Sequence, residues 1–292
     1  MTKRLFCFGL GYTGQALAHA LAKRAWEIAG TSRGPEGIEA LRGQGFDALA
    51  FDRDRPIGEP AHSLGQATHL LSTVPPDREG DPVLGRHGTD IARLSGLKWI
   101  GYLSTTGVYG DRGGAWVDEW AELRPTGERG RRRQAAEAAW LDLRHRHGLP
   151  VHVFRLAGIY GPGRSALDQL GSGRARRIIK PGQVFSRIHV DDIVAVLMAS
   201  MARPNPGAIY NLADDEATAP ATVIEFAASL LGIDPPPAEP FESASLSDMA
   251  ASFYRDSKRV SNRRIKEELG VRLAFPTYRE GLQHLHAAMT RK

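Results

Sequence analysis

Gly9, Gly11 and Gly14 stand near the start of the chain as Gly9-Leu10-Gly11-Tyr12-Thr13-Gly14. The Gly-x-Gly-x-x-Gly spacing can hold a pyrophosphate. Its first glycine permits a tight turn, its second lets backbone approach the anion, and its third lets a helix pack close to the preceding strand. The helix that follows would present free N–H groups and its dipole to the phosphates, with Tyr12 and Thr13 also expected against the cofactor. With 32 glycines in 292 residues, chance alone gives about 0.4 such matches, so context must decide. An apolar strand over 4–9 precedes the motif. A helix over 15–24 follows it, with Ala16, Leu17, Ala20 and Leu21 on one face. In that setting the motif reads as a dinucleotide site.

The end of the second strand speaks to the choice of dinucleotide. An acid there would hold a ribose 2′-hydroxyl. This chain has Gly30-Thr31-Ser32-Arg33. Ser32 and Arg33 suit a 2′-phosphate, because a planar guanidinium matches phosphate oxygens, so NADP is expected ahead of NAD. Arg33 could also be a solvated turn residue. Asp52, after the third strand, could bond the adenine amino group or equally cap a turn. The ten histidines show no metal spacing, and His145 and His147 cannot face one another on a helix. No metal is expected. Cys7 is the single cysteine, so no internal disulfide can form. It should be buried and inert, and a reducing cytoplasm is the expected compartment.

These residues need a scaffold. Apolar strands over 4–9, 26–31, 47–51, 69–74, 99–104, 151–156 and 208–212 alternate with helices over 15–24, 38–44, 90–94, 134–147, 192–201 and 223–231. That rhythm predicts an α/β fold, a doubly wound parallel sheet of the Rossmann kind. Residues 160–188, rich in Gly and Arg, and 214–276, with Pro235-Pro236-Pro237, break the rhythm. They predict a small C-terminal α/β substrate lobe above the carboxyl edge of the sheet, where ligands bind in open parallel sheets. The expected division is residues 1–160 plus 189–213 for the dinucleotide-binding domain and 161–188 plus 214–292 for the lobe. Apolar residues at 42% and charged ones at 24% exclude a disordered chain, and no apolar run reaches the ~20 residues of a membrane helix. The net charge of +5 concentrates in Arg129–Arg133 and in Arg174, Arg176, Arg177 and Lys180. No nucleic-acid-binding signature accompanies these runs, so a solvated face or a local anion site is expected instead.

Four later segments carry a family resemblance. They are Ser104-Thr105-Thr106-Gly107-Val108-Tyr109-Gly110, Arg155-Leu156-Ala157-Gly158-Ile159-Tyr160-Gly161-Pro162-Gly163, Ile188-His189-Val190-Asp191-Asp192-Ile193 and Tyr210-Asn211-Leu212-Ala213-Asp214. In this order they resemble the extended short-chain dehydrogenase/reductase family, the NAD-dependent epimerase/dehydratase group, over nearly the whole chain. The resemblance implies that Thr105 polarises a substrate oxygen. It places the dinucleotide also along Ser72, Thr73, Val74, Ser104, Arg133, Gly158 and Ile159. The substrate falls beside Pro75, Thr106, Tyr109, Tyr160, Arg164 and Arg187, whose arginines suggest an anionic or nucleotide-linked small molecule. Helices of the fourth and fifth type in that family also suggest a homodimer.

The family's Tyr-x-x-x-Lys acid/base pair is absent. Glu137 fixes the register, which puts Arg129 at the tyrosine position and Arg133 at the lysine position. A phenol near pKa 10 can be tuned to exchange a proton near neutrality, whereas an arginine above about 12 cannot. Arg133 could still bond a ribose hydroxyl, and Arg129 could bind a carboxylate or phosphate or simply be a surface arginine. Phe8 also stands where the family's first loop glycine would be. Both departures resemble the atypical subgroup that keeps the fold and lacks the standard site. Tyr109 is the nearest remaining phenol and either serves as a displaced acid or packs. The turn at His189 is expected to be structural, with Asp191 capping a helix that starts at Asp192. The expected function is an NADP-dependent oxidoreductase or epimerase with a nonstandard proton donor. The alternative is a non-catalytic NADP(H) sensor.

Overall fold

A computed structural model describes residues 2–246 and 248–290. Its centre is a seven-stranded parallel sheet. The strands are β1 (Arg4–Phe8), β2 (Glu27–Ser32), β3 (Asp47–Ala50), β4 (His69–Ser72), β5 (Trp99–Thr105), β6 (Val151–Leu156) and β7 (Ile209–Leu212). They lie in the order β7-β6-β5-β4-β1-β2-β3. Leu5, Phe6, Cys7 and Phe8 are all fully buried, as are Leu70 and Leu71. Such continuous apolar runs belong to strands covered on both faces, where alternation would leave a polar face dry. The order reverses between β1 and β4. Crossovers leave that point in opposite directions and open a crevice at the carboxyl ends of those two strands. The expected Rossmann architecture is therefore present.

The chain forms two compact units. The first holds Met1–Thr105, Arg131–Arg155 and Val196–Tyr210; the second holds Thr106–Gly130, Leu156–Ala195 and Asn211–Lys292. In the first, Phe6, Phe8, Leu70, Ile100, Tyr102, Trp140 and Val153 share one apolar core. In the second, Leu167, Val223, Ala227, Tyr278 and Leu282 form one cluster, and Val108, Tyr109, Val117 and Val260 another. The second unit also holds three short parallel pairs. Gly158–Tyr160 pairs with Arg187–His189, Arg177–Ile179 with Ala238–Pro240, and Trp116–Val117 with Arg259–Val260.

Several boundaries differ from the sequence reading. The helix expected over 90–94 runs Pro82–Ala92. Asp81 caps it, its carboxylate accepting from the N–H groups of Val83 and Leu84, and Pro82 suits the first turn. The helix expected over 134–147 is Glu128–His147 and takes in the arginine run. Within 160–188 a short helix, Ala166–Gly171, starts on a Ser165–Asp168 capping box. Asp191 does not cap. The helix is Val190–Ala202, beginning two residues earlier than expected, so Asp191 lies within its first turn. It is the buried Asp192 whose carboxylate binds backbone, accepting from Ala274 and Phe275.

Candidate functional site

The glycine turn closes at the carboxyl end of β1. Gly9 has φ +81°, which L residues other than glycine rarely adopt. A Cβ there would also lie 2.8 Å from Thr73 Oγ1 and 3.2 Å from Val74 Cγ2. The turn is braced by its neighbours. Gly9 N–H donates to Thr31 Oγ1 at 2.9 Å, and Thr73 Oγ1 donates to Gly9 O at 2.5 Å. Gly11 is exposed, caps the helix Tyr12–Ala22 without a side-chain bond, and has open space where a Cβ would stand. A Cβ on Gly14 would meet Gly9 O at 3.1 Å and Cys7 Sγ at 3.2 Å. Tyr12 is half-buried and Thr13 buried at the first turn. The turn thus keeps one open backbone face at a helix N-terminus, the arrangement that accepts phosphate oxygens. Cys7 is buried behind it, and burial holds its thiol protonated.

At the end of β2, Ser32 is half-buried and Arg33 exposed. Asp52 is bound within its own turn. Its Oδ1 accepts from the N–H groups of Asp54 and Arg55 at 3.0 and 2.9 Å, and its Oδ2 pairs with Arg55 Nη2 at 3.0 Å. The carboxylate caps its own turn, which is the second option the sequence left open. Arg55 Nη2 also donates to the carbonyl of Arg33. Arg55 escaped the sequence reading; its only signal was the Asp52-Arg53-Asp54-Arg55 run after β3.

Past β4, Ser72 is fully buried and its hydroxyl has no hydrogen-bond partner. Thr73 and Val74 are half-buried against Gly9, and Pro75 is exposed. The loop beyond is held by Arg53, whose Nε and Nη2 grip the two Asp77 oxygens at 2.6 Å each. This paired grip holds the Asp77 carboxyl below its ordinary range.

β5 and the helix Glu128–His147 share a buried network. Ser104 Oγ donates to Glu137 Oε1, and Arg155 pairs with Glu137 at 2.8 Å, both side chains 3% exposed. The Ser104 hydroxyl proton is committed there. Arg133 donates to Leu103 O at 2.6 Å and Tyr102 Oη at 3.1 Å. Thr105, the last residue of β5, is half-buried.

In the second unit, Thr106 opens a 3-10 turn ending at Tyr109. Tyr109 is fully buried and its hydroxyl donates to Asn211 Oδ1 at 2.6 Å. A ring so enclosed packs in this structure. Arg129 is exposed on the first turn of its helix. Gly158 and Arg164, further along the chain, are also exposed, and Ile159 is half-buried. Tyr160 is 7% exposed, and its hydroxyl reaches Thr277 O at 3.4 Å. Arg187 Nη1 donates to Phe185 O and Thr218 O at 3.0 and 3.2 Å. Burial lowers the pKa of this guanidinium, and the charge of Asp214 partly offsets that. Asp214 is itself buried, its Oδ2 has no partner, and desolvation pushes its carboxyl up to about 8. His189 is fully buried, accepts from Asp191 N–H at 3.2 Å and packs against Tyr160 and Phe275. Desolvation lowers its pKa to about 4.

Two members of the second basic run are matched by acids. Arg176 pairs with Glu239 and Arg177 with Glu225. Among the described residues, no group of His, Cys, Asp and Glu could hold a metal ion, and no helix is long and apolar enough to cross a membrane.

The sheet order and the open glycine turn define a Rossmann-fold protein of the nucleotide-binding kind. Residues 89–213 match the model of the NAD dependent epimerase/dehydratase family. That stretch of the chain thus carries an NAD dependent epimerase/dehydratase domain. It is 28% identical to Protein YeeZ of Escherichia coli K12 over 94% of this chain and 97% of that one. A solved structure from Silicibacter pomeroyi DSS, described as a functionally unknown conserved protein, is 53% identical over 99% of both chains, with a TM-score of 0.90. The dTDP-glucose 4,6-dehydratase of Bacillus anthracis, solved with NAD, shares the fold at 16% identity and a TM-score of 0.78, over 100% of this chain and 97% of that one.

Proposed function

We propose that the protein binds NADP at the Gly9–Gly14 turn and acts as an oxidoreductase or epimerase on a small anionic or nucleotide-linked substrate. The carrying observation is the turn itself. Gly9 cannot bear a side chain, Gly11 leaves its backbone open, and the helix behind it lacks a side-chain cap. Those are the features that a pyrophosphate would fill. NAD in the Bacillus anthracis dehydratase supports a dinucleotide here, and Arg33 in place of an acid supports the 2′-phosphorylated form. When bound, the dinucleotide supplies hydride transfer. The chain's own part rests on the Thr105 hydroxyl, which would polarise the substrate oxygen. Arg164 and Arg187, in the second unit, would recognise the anion. That unit would carry substrate recognition and the first the dinucleotide.

The proton donor is nonstandard. Arg129 stands at the position of the family's tyrosine, and an arginine above about 12 does not exchange protons near neutrality. The missing tyrosine supports the reading of this chain as one of the atypical subgroup. The single cysteine supports a reducing cytoplasm, and a homodimer is the expected assembly.

A second reading, a non-catalytic NADP(H) sensor, is favoured by one set of contacts. Arg133 is turned to the β5 backbone and Tyr109 is enclosed. Binding titrations with NAD, NADH, NADP and NADPH test the shared premise. The expected result is a preference for the phosphorylated forms that Arg33→Ala removes. Steady turnover abolished by Thr105→Val selects the enzyme. NADPH binding with no turnover across carbonyl and sugar-nucleotide panels selects the sensor.

A further inference from the structure

Three arginines cluster after β2 and β3, and the structure gives each a different task. Arg53 is spent on Asp77 and on Gly80 O, at 2.6 and 3.1 Å. Arg33 is exposed and its guanidinium has no acidic partner among the described residues. Arg55 lies between these extremes. One of its nitrogens, Nη2, bridges the Asp52 carboxylate and the Arg33 carbonyl. Its Nη1 and Nε have no protein partner among the described residues, and the side chain is 49% exposed.

We propose that Arg55 is a second determinant of 2′-phosphate recognition, held beside Arg33 by Asp52. The inference rests on the dinucleotide reading above and extends it to a residue outside the β2 signature. Asp52 is fixed first. Its turn closes through backbone bonds with Arg55 in both directions, at 3.2 and 3.3 Å, and through the two N–H groups on Oδ1. The fixed carboxylate orients the Arg55 guanidinium, and the bond to Arg33 O locates it at the end of β2. Two donor edges remain for an anion arriving there. A phosphate ester near −2 matches two guanidinium groups better than one. A ribose with a free 2′-hydroxyl gains little from the second charge. Arg55 should therefore set selectivity more than general affinity, and Asp52 is a positioning residue.

The test is fluorescence titration of the full chain with NADPH and NADH, and calorimetry with 2′-AMP and 5′-AMP. Arg55→Gln should reduce the NADPH-over-NADH preference by about tenfold, the scale of one charge-assisted hydrogen bond. NADH affinity should stay within about twofold. The 2′-AMP preference should fall in parallel. Asp52→Asn keeps the turn but not the ion pair, and should shift both ratios the same way by a smaller factor. If Arg33→Ala lowers the preference and Arg55→Gln does not, the inference fails while the dinucleotide reading stands. Equal weakening of NADPH and NADH by Arg55→Gln also overturns it, as a structural effect. Wild-type protein that binds neither dinucleotide sinks the underlying reading and this inference with it.

Discussion

Arg133 donates from Nη1 to the carbonyl oxygen of Leu103 at 2.6 Å and so ties its helix to the backbone of β5. The family pattern puts a lysine here, oriented towards a ribose. In this chain that position holds strand and helix together. Arg133→Ala should therefore cost about 1–2 kcal/mol of stability, the price of a charge-assisted bond to a buried carbonyl. NADPH affinity should stay within about twofold. Urea denaturation and binding titration check both. A large loss of affinity with unchanged stability would return Arg133 to the cofactor.

The Glu137–Arg155 pair should be more sensitive. Both side chains are 3% exposed, and Ser104 completes the network. Removing one partner leaves a buried charge unpaired, which typically costs about 3–5 kcal/mol. Arg155→Met should unfold at markedly lower urea than Ser104→Ala, which removes only one donor. Equal midpoints would show that the pair is already well solvated.

The glycine turn offers a paired comparison. Gly9→Ala meets both a positive φ and Thr73 Oγ1 at 2.8 Å, so it should lower the melting temperature and dinucleotide affinity together. Gly11→Ala meets open space and should leave folding almost unchanged. Its methyl group would stand where phosphate is expected, so affinity should fall by about tenfold or more. Undiminished affinity in Gly11→Ala would move the phosphates elsewhere.

Asp214 gives a pH prediction. In the unfolded chain its carboxyl ionises near the ordinary 3.8, whereas in the fold desolvation keeps it protonated up to about 8. The folded state then holds the extra proton across that window. Its contribution to stability is present below about 4 and falls as pH rises towards 8, by up to about 1.4 kcal/mol per pH unit. Asp214→Asn should match wild type near pH 4 and exceed it at pH 8 in urea midpoints. Parallel profiles would mean that Asp214 is ionised throughout. The buried His189 acts in the opposite sense. Its pKa is lowered to about 4, so its contribution is present above 6.5 and is lost as pH falls towards 4. The difference between wild type and Asp214→Asn isolates the carboxyl.

The scaffold was legible because apolar runs bounded by glycine and proline mark buried parallel strands. The strands from β1 to β7 lie within about two residues of where those runs put them. Helix starts were less legible. Gly85 and Gly88 interrupt the apolar pattern of Pro82–Ala92, so the Asp81 cap was needed to see its true beginning. The arginine run hid the start of Glu128–His147 because solvated residues carry no periodicity. Side-chain partners were the least legible. Asp52 offered two roles from its position, and only the folded turn shows its oxygens already engaged. Arg33 and Arg55 are 22 residues apart, and no local pattern relates them. Ser104 and Arg133 matched the family by position, yet packing turned both towards neighbours within the fold.

The lone thiol behind the glycine turn has a kinetic use. Cys7 is fully buried with its sulfur close behind Gly14, and its thiol stays protonated while buried. A thiol-directed label reacts with the thiolate, so modification must wait for the turn to open. Labelling therefore clocks the breathing of one specific loop, with no other cysteine in the chain to blur the signal. A ligand seated on that loop would slow the clock, and the slowing would report occupancy without any turnover.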